Sequence, residues 1–200
     1  MFEFEISDKS AHIAIIGKTG SGKTKYVEKI LQQQIEKGYV NIEDIHIFIP
    51  ESNNTDFLNY TRHNDFKNIF NQLWVNYTNN DKTCFMVFDD FNDDKGVVNM
   101  RQESKEILQL FNQGRKHNIQ SIIIGHDPAQ SIGRNIKNSI SYFCYFPTGN
   151  LGVYKYLAQN YLSGDIEGLK NKCNECKNIS NYGLIIIDSN ANVCIDNNIN

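Results

Sequence analysis

Apolar residues fall into short solid runs separated by stretches where they recur every three or four positions. The runs are HIAIIG (12–17), DIHIFIP (44–50), TCFMVFDDF (83–91), QSIIIGH (120–126), SISYFCYF (139–146) and YGLIIID (182–188). Their length and β-branched content predict buried strands. Between them, Val27, Ile30, Leu31 and Ile35 share one helical face, as do Phe66, Ile69, Phe70, Leu73, Trp74 and Tyr77, and also Tyr154, Leu157, Ala158, Tyr161 and Leu162. A further helix is expected to end near His117, and DSNANVCI (188–195) reads as a turn with a short pairing strand. Strands alternating with helices imply an α/β fold, a mainly parallel sheet flanked by helices. With 200 residues the chain is expected to form one domain, 1–200.

Composition changes this picture little. Hydrophobic residues make up 40%, enough for a core, and the three prolines mark no linker. No apolar run approaches the roughly 20 residues that a membrane span needs. The leading MFEFEISDKSAH is acidic and lacks the apolar centre of a secretion signal, so an intracellular or particle-borne protein is expected. Five cysteines, an odd number scattered through apolar runs, suit reduced thiols. Cys173 and Cys176 form one CxxC, without the second pair that a zinc site would need. The net charge of −3 excludes a global basic field. Any contact with DNA would need a local patch or several subunits around it.

The chemistry begins at GKTGSGKT, Gly17 to Thr24, which fits the P-loop pattern. Gly17, Gly20 and Gly22 permit backbone conformations that would turn successive amides inward as an anion nest. The next helix adds its free amides and positive dipole end. Lys18, Thr19, Ser21 and Lys25 complete the candidate ATP-binding stretch. Lys23 is expected to reach the β- and γ-phosphates, and Thr24 to offer its hydroxyl to Mg²⁺.

Acids come next, on the strand that ends in Asp89 and Asp90. An apolar strand delivers such carboxylates to the edge where open α/β sheets bind ligands. Asp89 is the candidate for Mg²⁺ and Asp90 for orienting the attacking water. The neighbouring strand 120–126 ends in His126 and Asp127. Arg101, Lys105, Arg115 and Lys116 are the densest basic set outside the P-loop region, for which a solvated helix face is the ordinary alternative.

The chain beyond the acid pair carries a resemblance. A helix ends in NQGRKH, a strand reads IQSIIIGH, and PAQSIGRNIKNSISYF comes after it. Over roughly residues 10–150 this resembles the FtsK–HerA superfamily of RecA-like DNA-pumping ATPases. Within it, the chain is similar to the poxvirus-type genome-packaging ATPases of double-stranded DNA viruses. The matching positions are Gly114, Arg115, His117 (displaced by Lys116), Ile119, Arg134 and Asn135. Two positions depart from the pattern: Asp90 stands where Glu is usual, and His126, with Gln130 nearby, where Gln is usual.

The resemblance implies ATP hydrolysis with Mg²⁺, coupled to translocation of double-stranded DNA. It implies a homo-oligomeric ring, pentamer or hexamer, a location in host cytoplasm or virion, and a capsid or vertex partner. It also implies an arginine supplied by a neighbouring subunit, Arg115 first and Arg134 second, and a polar sensor of the γ-phosphate, either His126 or Gln130. Lys95, Arg101 and Lys105 are candidates for touching DNA phosphates. The rival reading is a small nucleoside or nucleotide kinase, against which stands the lack of arginine in residues 150–180.

Overall fold

The computed structural model describes residues 11–49, 57–80, 82–89, 104–180 and 183–197. Strand β1 is His12–Ile16, buried at every position. It leads through the loop into helix α1, Lys23–Glu36. Strand β2 covers Ile45–Phe48, shorter than expected because Asp44 belongs to a one-turn 3-10 helix before it. Strand β3, Thr61–His63, precedes helix α2, Phe66–Asn80. Strand β4, Cys84–Asp89, and helix α3, Lys105–Gln113, lead to a 3-10 turn at Gly114–His117 and to strand β5, Ile119–Gly125.

A single-turn helix α4, Pro128–Ser131, and another 3-10 turn, Lys137–Ser139, cross to strand β6, Tyr142–Tyr145. Helices α5, Leu151–Tyr161, and α6, Ile166–Ile179, then precede strands β7, Leu184–Asp188, and β8, Val193–Asp196.

The strands form one sheet in the order β3-β2-β4-β5-β1-β6-β7-β8. The first six in this order pair in parallel, and β7 and β8 add antiparallel. The sheet is therefore mainly parallel, as expected. The exception is the closing pair: β7 reverses against β6, and the short turn before β8 reverses the chain again.

Period-two alternation divides the core. Ala14 and Ile16 face one side with residues of α2, α3, α5 and α6. Ile13 and Ile15 face the other with Tyr26, Val27, Ile30 and Leu31 of α1. The expected faces of α2 and α5 are largely the buried ones: Phe66, Phe70, Leu73 and Tyr77 in α2, and Val153, Tyr154, Leu157 and Ala158 in α5. Ile69, Trp74, Tyr161 and Leu162 are only partly covered.

The consequence for function is directional. Six parallel strands point their C-terminal ends to one edge, so the segments leaving β1, β4, β5 and β6 gather there. All five cysteines are free thiols, and Cys173 and Cys176 are buried on α6 against the sheet.

Candidate functional site

Gly17 leaves β1 beside β5, and its amide donates to Gly125 O at 3.1 Å. The chain passes so close here that a side chain on Gly17 would meet Phe146 Cβ and Ser21 Oγ, each 2.7 Å from the atom it would add. Gly20 and Gly22 take left-handed conformations, φ 75° and 95°. Side chains are strained there, which explains glycine at both positions. Gly22 is the N-cap of α1 and has no side chain to cap it, so the helix opens directly on the loop. Ser21 Oγ is buried with no hydrogen-bond partner among the described residues. Lys18, Thr19, Gly20 and Lys25 are exposed around the loop, and Thr24 is half-buried.

Lys23, the first residue of α1, is buried and bends back over the loop. Its ammonium donates to Gly17 O at 2.9 Å and Lys18 O at 3.1 Å. His126, just past β5, brings Nδ1 within 3.5 Å of that ammonium and 3.2 Å of the same Gly17 carbonyl. The neighbouring Asp127 accepts from Ala129 N and so caps α4.

Asp89 ends β4 and is buried. The register sets it opposite Ile124, which in turn lies opposite Ile15. Asp89 and the end of β1 are thus level on the same edge, with β5 between them. At one strand spacing each, that is about 10 Å from backbone to backbone. The gap suits a terminal phosphate with its cation. Thr24 and Asp89 are both hard oxygen donors, the chemistry Mg²⁺ prefers, so these residues fit that ion. Asp90 lies outside the described residues, as do Lys95 and Arg101; Lys105 is exposed at the start of α3.

A cleft of about 540 Å³ opens on one flank of the loop, lined by Lys18, Thr19, His126, Asp127, Thr148, Gly149, Asn150 and Val153. Sequence reasoning misses its far wall, 148–150, although a signal exists: Thr-Gly-Asn is a turn just past β6, the other neighbour of β1. Tyr145 fixes that wall, its hydroxyl bonding Thr148 Oγ1 at 2.9 Å and accepting from Thr148 N. Asn150 caps α5 by accepting from Gly152 N at 2.8 Å.

The first candidate arginine is not at this crevice in the same chain. Arg115 sits in the turn before β5, on the N-terminal edge of the sheet, opposite the loop. It is exposed, yet its guanidinium donates to Ser139 O and, at 2.7 Å, to Ser141 Oγ. Arg134 is exposed on the crossover from α4 to β6. The structure thus brings together the loop, Lys23 and His126, sets Asp89 level with the end of β1, and leaves Arg115 on the opposite edge of the sheet.

A nested glycine loop after the central strand, a helix opening on it and a buried aspartate two strands away define the class: this is a P-loop ATPase. The poxvirus A32 protein family matches residues 2–198, and the chain belongs to it. The resemblance drawn from GRKHNIQS and IGRNIKNS is thereby borne out at the family level.

Solved structures agree in fold. The genome packaging NTPase B204 of Sulfolobus turreted icosahedral virus 2, in complex with ATP-gammaS, is 14% identical, with a TM-score of 0.69 over 96% of this chain and 99% of that one. B204 described as the DNA-packaging ATPase of Sulfolobus turreted icosahedral virus is 15% identical, with a TM-score of 0.64 over 92% and 96%. The pCW3 conjugation coupling protein TcpA, with ATPgS, is 15% identical, with a TM-score of 0.65 over 97% of this chain and 61% of that one. A comparison with curated proteins returns no match. Among the described residues no helix is long and apolar enough to cross a membrane.

Proposed function

We propose that this chain, acting as one domain over 1–200, is an ATP-hydrolysing motor that moves double-stranded DNA and packages a viral genome. One observation carries the reading: the end of β1, which leads into the loop of Lys23, and the buried Asp89 at the end of β4 lie level on one sheet edge, with β5 between them. Membership of the A32 family and likeness in fold to packaging NTPases support the cargo.

ATP enters as substrate, its phosphates against the amides of Gly17–Gly22. Lys23 exchanges the carbonyls of Gly17 and Lys18 for β- and γ-oxygens, and is then placed to neutralise charge as the terminal bond breaks. Thr24 and Asp89 would hold Mg²⁺, which supplies further neutralisation of phosphate charge when bound. Asp90, next in the chain, orients the water. His126 reads the γ-phosphate from the end of β5.

Arg115 lies on the sheet edge opposite its own loop, so a catalytic role for it would be at a neighbour's crevice. That favours a head-to-tail ring of five or six copies in host cytoplasm or virion, with DNA through the centre and a capsid or vertex protein as mount. Lys95, Arg101 and Lys105 would touch DNA phosphates without reading sequence.

No observation favours the kinase alternative. The 150–180 segment, where such an enzyme would need a mobile lid, is packed down as α5 and α6 through Val153, Leu157, Leu169, Cys173 and Cys176. The test is phosphate release with and without duplex DNA, run with a mass measurement in solution and a nucleoside acceptor. DNA-stimulated release by a ring-sized species is expected; phosphoryl transfer to the nucleoside would overturn the reading.

A further inference from the structure

We infer that His12 is a positioning residue for Arg115, setting the pose in which one copy presents that guanidinium to the next. The inference rests on the proposal that Arg115 acts across a subunit boundary.

His12 opens β1 at the edge opposite the P-loop, and it is fully buried. Its Nδ1 lies 2.7 Å from Ser121 Oγ on β5. Its carbonyl accepts from Ser141 N at 2.8 Å. Ser141 is the residue whose hydroxyl takes the Arg115 guanidinium at 2.7 Å. The main chain at His12 therefore holds the backbone of the residue that holds the arginine, and the imidazole acts on the turn itself.

The ring also shapes the turn directly. It packs on Phe111 at 4.7 Å between centroids, in the last part of α3. The chain then crosses it at Gly114, where an added Cβ would come 3.6 Å from His12 Cε1 and 3.0 Å from Ile119 O. Arg115 is the next residue. Glycine at 114 and a flat ring beneath it let the turn lie close to β1, which aims the next side chain outward. Burial, and then the charge of Arg115, hold the imidazole down at about 3, so the ring beside the guanidinium stays neutral and adds no repulsion.

A phenylalanine would fill the space of the imidazole, but would leave Ser121 Oγ without its partner and the turn without its fixed support. An aim altered by about an ångström is enough to cost a positioned group about 10²-fold in rate.

The experiment uses the full-length chain in mixtures. His12→Phe should lower kcat by about 10²-fold while KM for ATP stays within about twofold, since its own P-loop is intact. His12→Asn, which keeps an acceptor near Nδ1, should recover most of kcat. The decisive measurement mixes His12→Phe with Lys23→Ala, beside a reference mixture of Arg115→Ala with Lys23→Ala. Each pair leaves some boundaries with a sound P-loop on one copy and a sound arginine on the other.

Recovered phosphate release in both mixtures supports the inference. Recovery in the reference alone overturns it, because His12 would then act through its own loop. Failure of the reference overturns the cross-boundary role of Arg115 itself, and the inference with it. Binding of a non-hydrolysable ATP analogue checks that each variant is folded. Should His12→Phe fail that check, Ser121→Ala, which frees the same ring, goes through the same mixtures with the same outcomes.

Discussion

Lys23 and His126 meet over one oxygen, the carbonyl of Gly17, at 2.9 Å and 3.2 Å. The two side chains come from distant parts of the chain, one after β1 and one after its neighbour β5, and the peptide they share is the first of the nucleotide loop. A phosphate that draws Lys23 away leaves that carbonyl to the imidazole. On the proposed reading, His126 would register whether the lysine is engaged.

His126→Ala should lower kcat by about tenfold to a hundredfold, the range for one positioned polar group, with KM little changed. His126→Gln, which keeps a donor at similar reach, should retain more of the rate. Steady-state phosphate release over a range of ATP concentrations reads both. A rise in KM with kcat intact would assign His126 to ground-state binding instead.

Asp89→Asn should weaken the affinity for Mg²⁺ far more than it changes folding. The carboxylate is buried on an edge that a parallel strand pair supports, and the amide is isosteric. Binding of an ATP analogue, titrated with Mg²⁺, should need a higher concentration of the ion in the variant. Identical titrations would remove Asp89 from the metal site.

Tyr26, three residues after Lys23 in α1, donates to Asp196 of β8 at 3.1 Å, with both groups buried. The last strand thus anchors the helix that opens on the loop. Tyr26→Phe should cost about 1–2 kcal/mol, the range for a lost buried hydrogen bond. A urea midpoint that falls with unchanged slope is the expected result.

Acid should destabilise the fold through its buried histidines. His46 bonds His63 at 3.0 Å and the Tyr77 hydroxyl at 2.8 Å, and that hydroxyl donates to Asp44 at 3.0 Å. Since the tyrosine proton goes to the carboxylate, His46 donates from Nε2 and accepts from His63 at Nδ1. Burial, then the neighbouring His63, lowers its pKa to about 4; burial lowers that of His63 as well.

Both groups bind protons more readily in the unfolded chain. Their contribution is therefore complete above the unfolded value near 6.5 and is lost as pH falls through it toward 4, by at most about 3 kcal/mol for His46. Urea midpoints at pH 7, 6 and 5 should fall in that order, and less steeply for His46→Gln. A midpoint that rises with acid would contradict this assignment.

Legibility from sequence tracks burial. β1, β4 and β5 sit inside the sheet, covered on both sides, so their apolar runs are unbroken and their ends can be read as a ligand edge. Strand β3, Thr-Arg-His, escapes such a reading, because a three-residue edge strand has mostly exposed positions and no apolar run to mark it. Helix α6 escapes it for another reason. Its buried residues are Leu169, Cys173 and Cys176, so two of its three core contacts look like a candidate ligand motif. Counting cysteine as an apolar residue restores the helical spacing. The place of Arg115 is beyond any pattern, since it depends on which edge a turn reaches.

Phosphate release by the wild-type chain and by Lys23→Ala, side by side with ATP and Mg²⁺, tests the central claim most directly. Hydrolysis by the wild type and its loss by at least about a hundredfold in the variant is the outcome expected when a transition-state cation is removed. Equal release from both proteins would place the chemistry somewhere other than the loop after β1, and would contradict the account.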